Sequence, residues 1–164
     1  MPSTMRHRAG RDDDGAVRDV LDLQGYVPYF LTAISNAWSR SSSRLYLDRF
    51  GVGVTEWRVM ALLAMEAPIP AARICQVIGL DKGPVSRCLS AMQEAGLVRV
   101  KPDRNDARLR PVALTATGRR LHDRIIKLAL EREDKLLSCL KAAERKTLLA
   151  LLNRLHANLE AVER

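Results

Sequence analysis

A short turn between two predicted helices constrains the fold more than any other feature of this 164-residue chain. The apolar spacing predicts one helix over residues 71–78 and a second helix that opens at Asp81, with Pro84 tolerated in its first turn. Gly79 lies between them, where a left-handed backbone conformation costs least. Apolar residues flank the turn at the offsets of a packed seam: Cys75, Ile78, Leu80, Val85 and Cys88. The pattern predicts a helix-turn-helix, and an ordinary helical hairpin is the alternative interpretation.

Two apolar strips follow the second helix and predict a β-hairpin. Residues 97–101 alternate apolar with basic side chains, and residues 109–114 form a second strand pattern with Pro111 acceptable on an edge. The segment between them is rich in turn-forming residues. The basic heptapeptide RNDARLR, residues 104–110, therefore forms the tip and return of the hairpin. A hairpin directly after a helix-turn-helix makes a winged helix.

The excess positive charge of the chain is concentrated in the same region. The formal net charge is +8, and +5 of it falls between residues 79 and 120. This distribution predicts an anionic partner. Duplex DNA fits, because the start of the second helix can enter a major groove about 12 Å wide while a basic wing reaches the flanking minor groove.

The candidate DNA-binding residues fall into two groups. The helix start contributes Lys82, Gly83, Pro84, Ser86 and Arg87, and the wing contributes Arg104, Asp106, Arg108 and Arg110. As an anion, Asp106 is a poor DNA contact, and we expect it to pair with an arginine and fix its direction.

Other functional classes lack support in the sequence. Three cysteines at wide spacings argue against a disulfide framework or a zinc ribbon. The three histidines belong to no catalytic or metal-binding motif, so we expect no enzyme, no cofactor and no metal site. No apolar run reaches the ~20 residues of a bilayer span, and no signal peptide is evident, which predicts a cytoplasmic protein without a membrane partner.

The aromatic residues argue against a single-stranded nucleic-acid binder. All seven lie between residues 26 and 57, and the basic segment has none. Proteins that bind single strands stack bases on aromatic rings beside basic grooves. The separation of rings from charge favours a protein that reads duplex DNA.

Residues from about 54 to 118 resemble the MarR (multiple-antibiotic-resistance regulator) family of bacterial transcription regulators. The resemblance rests on GLDKGPVSR at residues 79–87, AGLV at 95–98 and DARLRPVALTATG at 106–118. The last segment matches a wing signature at Asp106, Arg108, Leu114, Thr115 and Gly118. The chain departs from the family at Val100, where an arginine is frequent.

The resemblance implies a mainly α fold with a small β-hairpin, in which terminal helices of two subunits interleave and present two winged helices to a palindromic site. The expected domains are a flexible tail over 1–18, an N-terminal dimerisation helix over 19–52, a winged helix over 53–115 and C-terminal dimerisation helices over 116–164. Thr55 is a plausible N-cap of a short helix, Thr115 caps a long helix expected over about 116–140, and a last helix is expected over about 143–162. The sequence independently permits a homodimer, because this last helix carries a leucine stripe that needs a partner surface. Packing of that stripe within one chain is the alternative.

The resemblance also implies a small aromatic or phenolic anion as effector, bound near the dimerisation helices. Candidate residues for aromatic walls and a cationic end are Trp38, Arg40, Arg44, Tyr46 and Trp57. Plain core and dimer packing of these rings is the alternative interpretation.

The predicted function is a sequence-specific duplex-DNA-binding regulator, most simply a ligand-responsive repressor. The alternatives are a non-catalytic helical adaptor and a cysteine-based redox-sensing regulator. The redox alternative is weak, since no cysteine lies in the first helix, where the family's peroxide sensors carry theirs. Cys139 remains its candidate residue.

Overall fold

A computed structural model of the chain describes residues 7–11, 14–15, 17–100 and 110–162. Within these ranges the elements are β1 (His7–Arg11), β2 (Val17–Leu21), α1 (Val27–Phe50), α2 (Val54–Glu66), α3 (Ala71–Ile78), α4 (Lys82–Glu94), β3 (Val98–Val100), β4 (Val112–Leu114), α5 (Ala116–Leu136) and α6 (Ala142–Ala157). The chain is mainly helical, with a small hairpin after a helix-turn-helix. This confirms the predicted fold class. The chain divides into two compact units, Met1–Arg58 and Val59–Arg164. Their boundary falls inside α2, whereas the sequence placed the start of the winged helix at residue 53.

The first strand pair occupies a segment for which the sequence predicted a tail without regular structure. His7–Arg11 pairs antiparallel with Val17–Leu21, so that Arg11 lies opposite Val17. The segment is rich in Arg, Asp and Gly and poor in the β-branched and aromatic residues that indicate a strand, so its pattern carried no signal for one. Residues 1–6, 12–13 and 16 of the predicted tail lie outside the described residues.

Helix α1 is one continuous helix. Pro28 lies in its first turn, where a missing N–H donor costs nothing. The helix runs through the serine-rich stretch SRSSSR, residues 39–44, despite the weak helix propensity of serine. Ser42 and Tyr46 are its buried residues, so contacts on this face compensate for the weak propensity.

The helix-turn-helix of the second unit confirms the predicted turn. Gly79 has a φ of 66° and ends α3, and its N–H donates to the Cys75 carbonyl over 3.0 Å. Helix α3 buries Ile74. Helix α4 buries Val85, Cys88, Leu89 and Met92. Asp81 occupies the N-cap position of α4 as predicted, although its side chain makes no capping hydrogen bond.

The wing is anchored by a short antiparallel sheet. Strands β3 and β4 pair with Val98 opposite Leu114 and Val100 opposite Val112. Ile69, just before α3, extends this sheet by exchanging two backbone hydrogen bonds with Val112, of 3.2 and 2.8 Å. The strands are shorter than predicted, and the wing tip, residues 101–109, lies outside the described residues.

One close junction joins the end of α4 to the start of α5. The Thr115 hydroxyl accepts a hydrogen bond from the Gly118 N–H over 3.0 Å, which caps α5 as predicted. The same hydroxyl donates to the Gly96 carbonyl over 2.6 Å, and the Thr115 N–H donates to the Leu97 carbonyl over 3.0 Å. A Cβ added at Gly118 would overlap the Leu97 carbonyl oxygen. Only glycine therefore permits this approach.

Three predicted helix ends differ in the structure. Helix α2 begins at Val54, so Thr55 lies inside the helix and not at its N-cap. Helix α5 ends at Leu136, about one turn before the predicted residue 140. Helix α6 ends at Ala157, and a 3-10 turn over Leu159–Ala161 follows it, where the sequence predicted one helix to residue 162. Local pattern sets helix ends only to within a turn.

We expect Gly118→Ala to destabilise the fold by about 1–3 kcal/mol or more, because the added methyl group must displace backbone. Urea unfolding followed by circular dichroism measures the change. The matched control is Gly83→Ala, in the first turn of α4, where the added Cβ meets only Arg87 Nη1 at 3.6 Å. The control should be neutral or up to about 1 kcal/mol more stable, since alanine favours helix over glycine. Equal stability of the Gly118 variant and the wild type would contradict the junction's importance.

Candidate nucleic-acid interface

Helix α4 separates cleanly into a buried and an exposed side. Its first turns expose every predicted contact residue of the helix: Lys82, Gly83, Pro84, Ser86 and Arg87. Val85, between them in the sequence, and Cys88, directly after them, are buried. This separation follows from the period of 3.6 residues, which places the polar set on one side of the helix and the apolar set on the core. The start of α4 is thus a polar, cationic surface held by a packed core.

A groove of about 840 Å³ runs beside this exposed side of α4. We call it the α3–α4 groove. Its polar lining comes from Gln76, Asp81, Lys82, Ser86, Ser90, Gln93 and Arg110. Its apolar lining includes Cys75, Leu80, Val85, Leu89, Val100 and Val112. The groove therefore brings Lys82 and Ser86 of the helix together with Arg110 of the wing.

The wing residues are placed only in part. Arg110 is exposed two residues before β4 and lines the α3–α4 groove. Arg104, Asp106 and Arg108 lie outside the described residues, so the expected pairing of Asp106 with an arginine stays a prediction. Arg99 is exposed on β3 and its neighbour Val98 is buried, which confirms the alternation read from the sequence.

The cations of this surface differ from Arg73 of the neighbouring helix. Among the described residues, no ion pair involves Lys82, Arg87 or Arg110. Arg73 of α3, in contrast, forms a fork with Glu66, with Nε–Oε2 and Nη2–Oε1 distances of 2.9 and 3.0 Å. The hydrogen bonds from Arg73, partly opposed by burial, lower the pKa of Glu66, and Glu66 raises the pKa of Arg73. The charge at the start of α4 thus remains available for an external anion.

The residues predicted for a ligand site separate into two sets. Tyr46 and Trp57 meet edge-to-face, with ring centroids 6.0 Å apart at an interplanar angle of 62°, and Trp38 is half-buried. Arg40 and Arg44 are exposed. They lie two residues from Trp38 and Tyr46, about 200° around the helix, so the structure does not bring them to the aromatic rings.

A different arginine, Arg58, contacts α1 at the residue next to Trp38. Arg58 follows Trp57 directly, and its Nη2 donates to the Ser39 hydroxyl, next to Trp38, over 3.1 Å. Sequence reasoning missed Arg58, because only the folding of α1 against the start of α2 brings residues 39 and 58 together. The position of Arg58 after an aromatic residue was the one local hint.

The remaining candidate chemistry is sparse. Cys88 is buried, Cys75 is half-buried and Cys139 is exposed, all as free thiols. Over the ranges described, no group of three or more His, Cys, Asp or Glu side chains is arranged to hold a metal ion. None of the described helices combines the length and apolar character that a bilayer span requires.

Comparison with known proteins agrees with this geometry. The MarR family model matches residues 50–109. The structure of a MarR/EmrR family transcriptional regulator from Acinetobacter sp. ADP1 superposes with a TM-score of 0.81 at 28% identity, covering 86% of this chain and 99% of that one. The chain thus has the fold of MarR-family regulators and matches the family's model over residues 50–109. These matches support a DNA-binding transcriptional regulator, a class of protein without enzymatic activity.

Two further structures of the same fold carry informative descriptions. MepR from S. aureus, solved as a DNA complex, matches with a TM-score of 0.72 at 19% identity, over 83% of this chain and 98% of that one. PcaV from Streptomyces coelicolor, solved with its natural ligand, also has a TM-score of 0.72, at 20% identity, over 84% of this chain and 96% of that one. At these identities the matches show the shared fold. Among curated proteins, the search found no significant relative of the chain.

Proposed function

We propose that the chain acts as a homodimeric repressor that binds a palindromic operator and releases it when a small aromatic anion binds. The observation that carries the DNA-binding mode is the α3–α4 groove, in which Lys82, Ser86 and Arg110 lie on one surface without a carboxylate partner among the described residues. In this mode α4 enters the major groove, and the wing with Arg104, Asp106 and Arg108 follows the minor groove. The DNA complex of MepR, which has the same fold, supports this mode.

Lys82→Ala and Arg108→Ala test this DNA-binding mode. Each should weaken binding by about 1–3 kcal/mol and reduce the dependence of log K on log salt by about one unit, because one phosphate contact is lost. The measurement is a salt titration of binding, with the full chain, to a duplex selected from random sequence. Lys127→Ala, which removes one exposed positive charge from α5, is the matched control and should leave the slope unchanged. If all three variants behave alike, only net charge matters and the mode is refuted.

The dimer is proposed from the terminal helices. In the single chain, α6 has no buried residue. Its large apolar residues and those just after it are exposed: Leu148, Leu149, Leu151, Leu152, Leu155, Leu159 and Val162. Helix α1 likewise exposes Phe30, Leu31 and Ile34. Exposed apolar residues in such numbers on a helix mark an interface, and a second copy supplies a complementary one by two-fold symmetry. We assign residues 19–52 and 116–164 to this dimerisation region.

Two glutamate substitutions on α6 should prevent dimerisation without unfolding the monomer. Leu152 and Leu155 are 38% and 47% exposed in the single chain, so Leu152→Glu with Leu155→Glu costs little within one copy but buries charge between two. Analytical ultracentrifugation should show monomers, and binding to the palindrome should fall to the level of a single half-site. Met65→Glu, at an 80% exposed position on α2, is the control and should remain dimeric. A dimeric α6 variant would contradict the assignment.

The effector site is proposed at the rings of the first unit. The half-buried Trp38 and Trp57 supply aromatic surface, with the buried Tyr46 packed against Trp57, and Arg58, which follows Trp57 and donates to Ser39, supplies a guanidinium. Arg58 takes the role that the sequence gave to Arg40 and Arg44, which lie on the other side of α1. The ligand complex of PcaV shows that a protein of this fold holds a small molecule. A bound anion would favour one dimer spacing over another and so change DNA affinity.

Trp38 and Trp57 are the two tryptophans of the chain, so intrinsic fluorescence reports on this site directly. Benzoate and 2-hydroxybenzoate should quench the fluorescence saturably, while benzyl alcohol, which lacks the carboxylate, should not. Arg58→Ala should weaken this binding about tenfold or more, since it removes a charge-assisted hydrogen bond. Arg40→Ala is the matched control and should bind as the wild type does. Loss of binding in the Arg40 variant alone would place the anion on the other side of α1.

A further inference from the structure

Gln76 of α3 is a polar residue that lies outside the core and is not among the DNA contacts proposed for α4. Its side chain is exposed and lines the α3–α4 groove together with Lys82, Ser86 and Arg110. It therefore lies on the surface that we propose faces DNA, but on the first helix of the helix-turn-helix.

The orientation of the Gln76 amide is determined by its neighbour. Arg73 Nη1 donates to Gln76 Oε1 over 3.1 Å. Because a guanidinium can only donate, the amide oxygen must face Arg73, and the amide nitrogen keeps its two N–H donors for another partner. Arg73 is held in turn by Glu66, through Nε and Nη2. A chain of hydrogen bonds from α2 thus presents Gln76 as a donor.

We propose that Gln76 is a further DNA-contacting residue, which donates from Nε2 to a phosphate oxygen of the duplex, and that Glu66 and Arg73 are its positioning residues. This inference rests on the proposed mode of DNA binding. In a helix-turn-helix complex the first helix crosses the sugar–phosphate backbone while the second reads the major groove. Neutral amide donors are common ligands of phosphate oxygens.

The occupied amide oxygen also argues against a base contact. Glutamine recognises adenine by donating and accepting at once, which requires both ends of the amide. Gln76 has only its donor end available while Arg73 holds the oxygen. Its contact should therefore position the protein on DNA without selecting a base.

Gln76→Ala and Gln76→Met, in the full chain, test the contact. Each should weaken binding about tenfold, the loss expected for a hydrogen bond to a charged acceptor. The loss should be equal on a duplex selected from random sequence and on a scrambled duplex, and the salt slope should stay unchanged, because a neutral side chain displaces no counterion. Val77→Ala is the control, an exposed α3 residue outside the groove lining, and should bind normally.

A double-mutant cycle tests the positioning role of Arg73. Arg73→Met should weaken DNA binding in the wild-type background and have little further effect in the Gln76→Ala background. Equal losses in both backgrounds, with a reduced salt slope, would show that Arg73 contacts phosphate itself and would overturn its role as a positioning residue. Thermal unfolding of every variant excludes loss of fold as the cause.

The outcomes separate this inference from the proposed function. Normal binding by both Gln76 variants, with Lys82→Ala still impaired, overturns the Gln76 contact and keeps the proposed mode. Loss confined to one base-pair position overturns the phosphate assignment. If the wild-type chain binds neither duplex, the proposed function itself fails.

Discussion

The arrangement of the winged helix depends on one close contact, between Gly118 and the carbonyl group of Leu97. Leu97 directly precedes β3, and Thr115 directly follows β4, so the contact joins the exit of α4, the sheet and the start of α5 at one point. Three hydrogen bonds of Thr115 surround it, and a methyl group would not fit. The orientation of α4, and with it the direction of Lys82 and Ser86, is therefore tied to α5.

Some of the cations described above are held by partners within the fold, and others are not. Arg73 is bound by Glu66 and Gln76, and Arg58 is bound by Ser39. Lys82, Arg87 and Arg110 have no ion pair among the described residues, although Asp81 lines the same groove as Lys82. Exposed ion pairs contribute little to stability, so the pairing of Arg73 acts chiefly on direction. The fold fixes the direction of Arg58 and Arg73 through hydrogen bonds. It leaves Lys82, Arg87 and Arg110 for an anionic partner.

Much of this organisation could be predicted. The bounds of α3 follow from apolar spacing and from Gly79, and the cap of α5 follows from Thr115, because both signals are local. The N-terminal strand pair, the start of α2 and the end of α5 were not predicted correctly, since weak propensities leave such choices to packing. Within the sites, the residues predicted to contact DNA from the start of α4 are all exposed. Arg40 and Arg44 did not join the rings, because a sequence cluster need not share a helix face.

The sequence by itself determined the class of the protein: a helix-turn-helix, a basic wing and aromatic residues kept apart from the charge, all encoded in periodicity and spacing. Tertiary structure alone decided which arginine contacts α1 next to Trp38 and which end of the Gln76 amide is left for another partner. Both choices join residues distant in sequence or on different elements, Ser39 with Arg58 and Glu66 with Arg73. Local pattern specifies elements, whereas the partners of a polar side chain depend on how those elements pack.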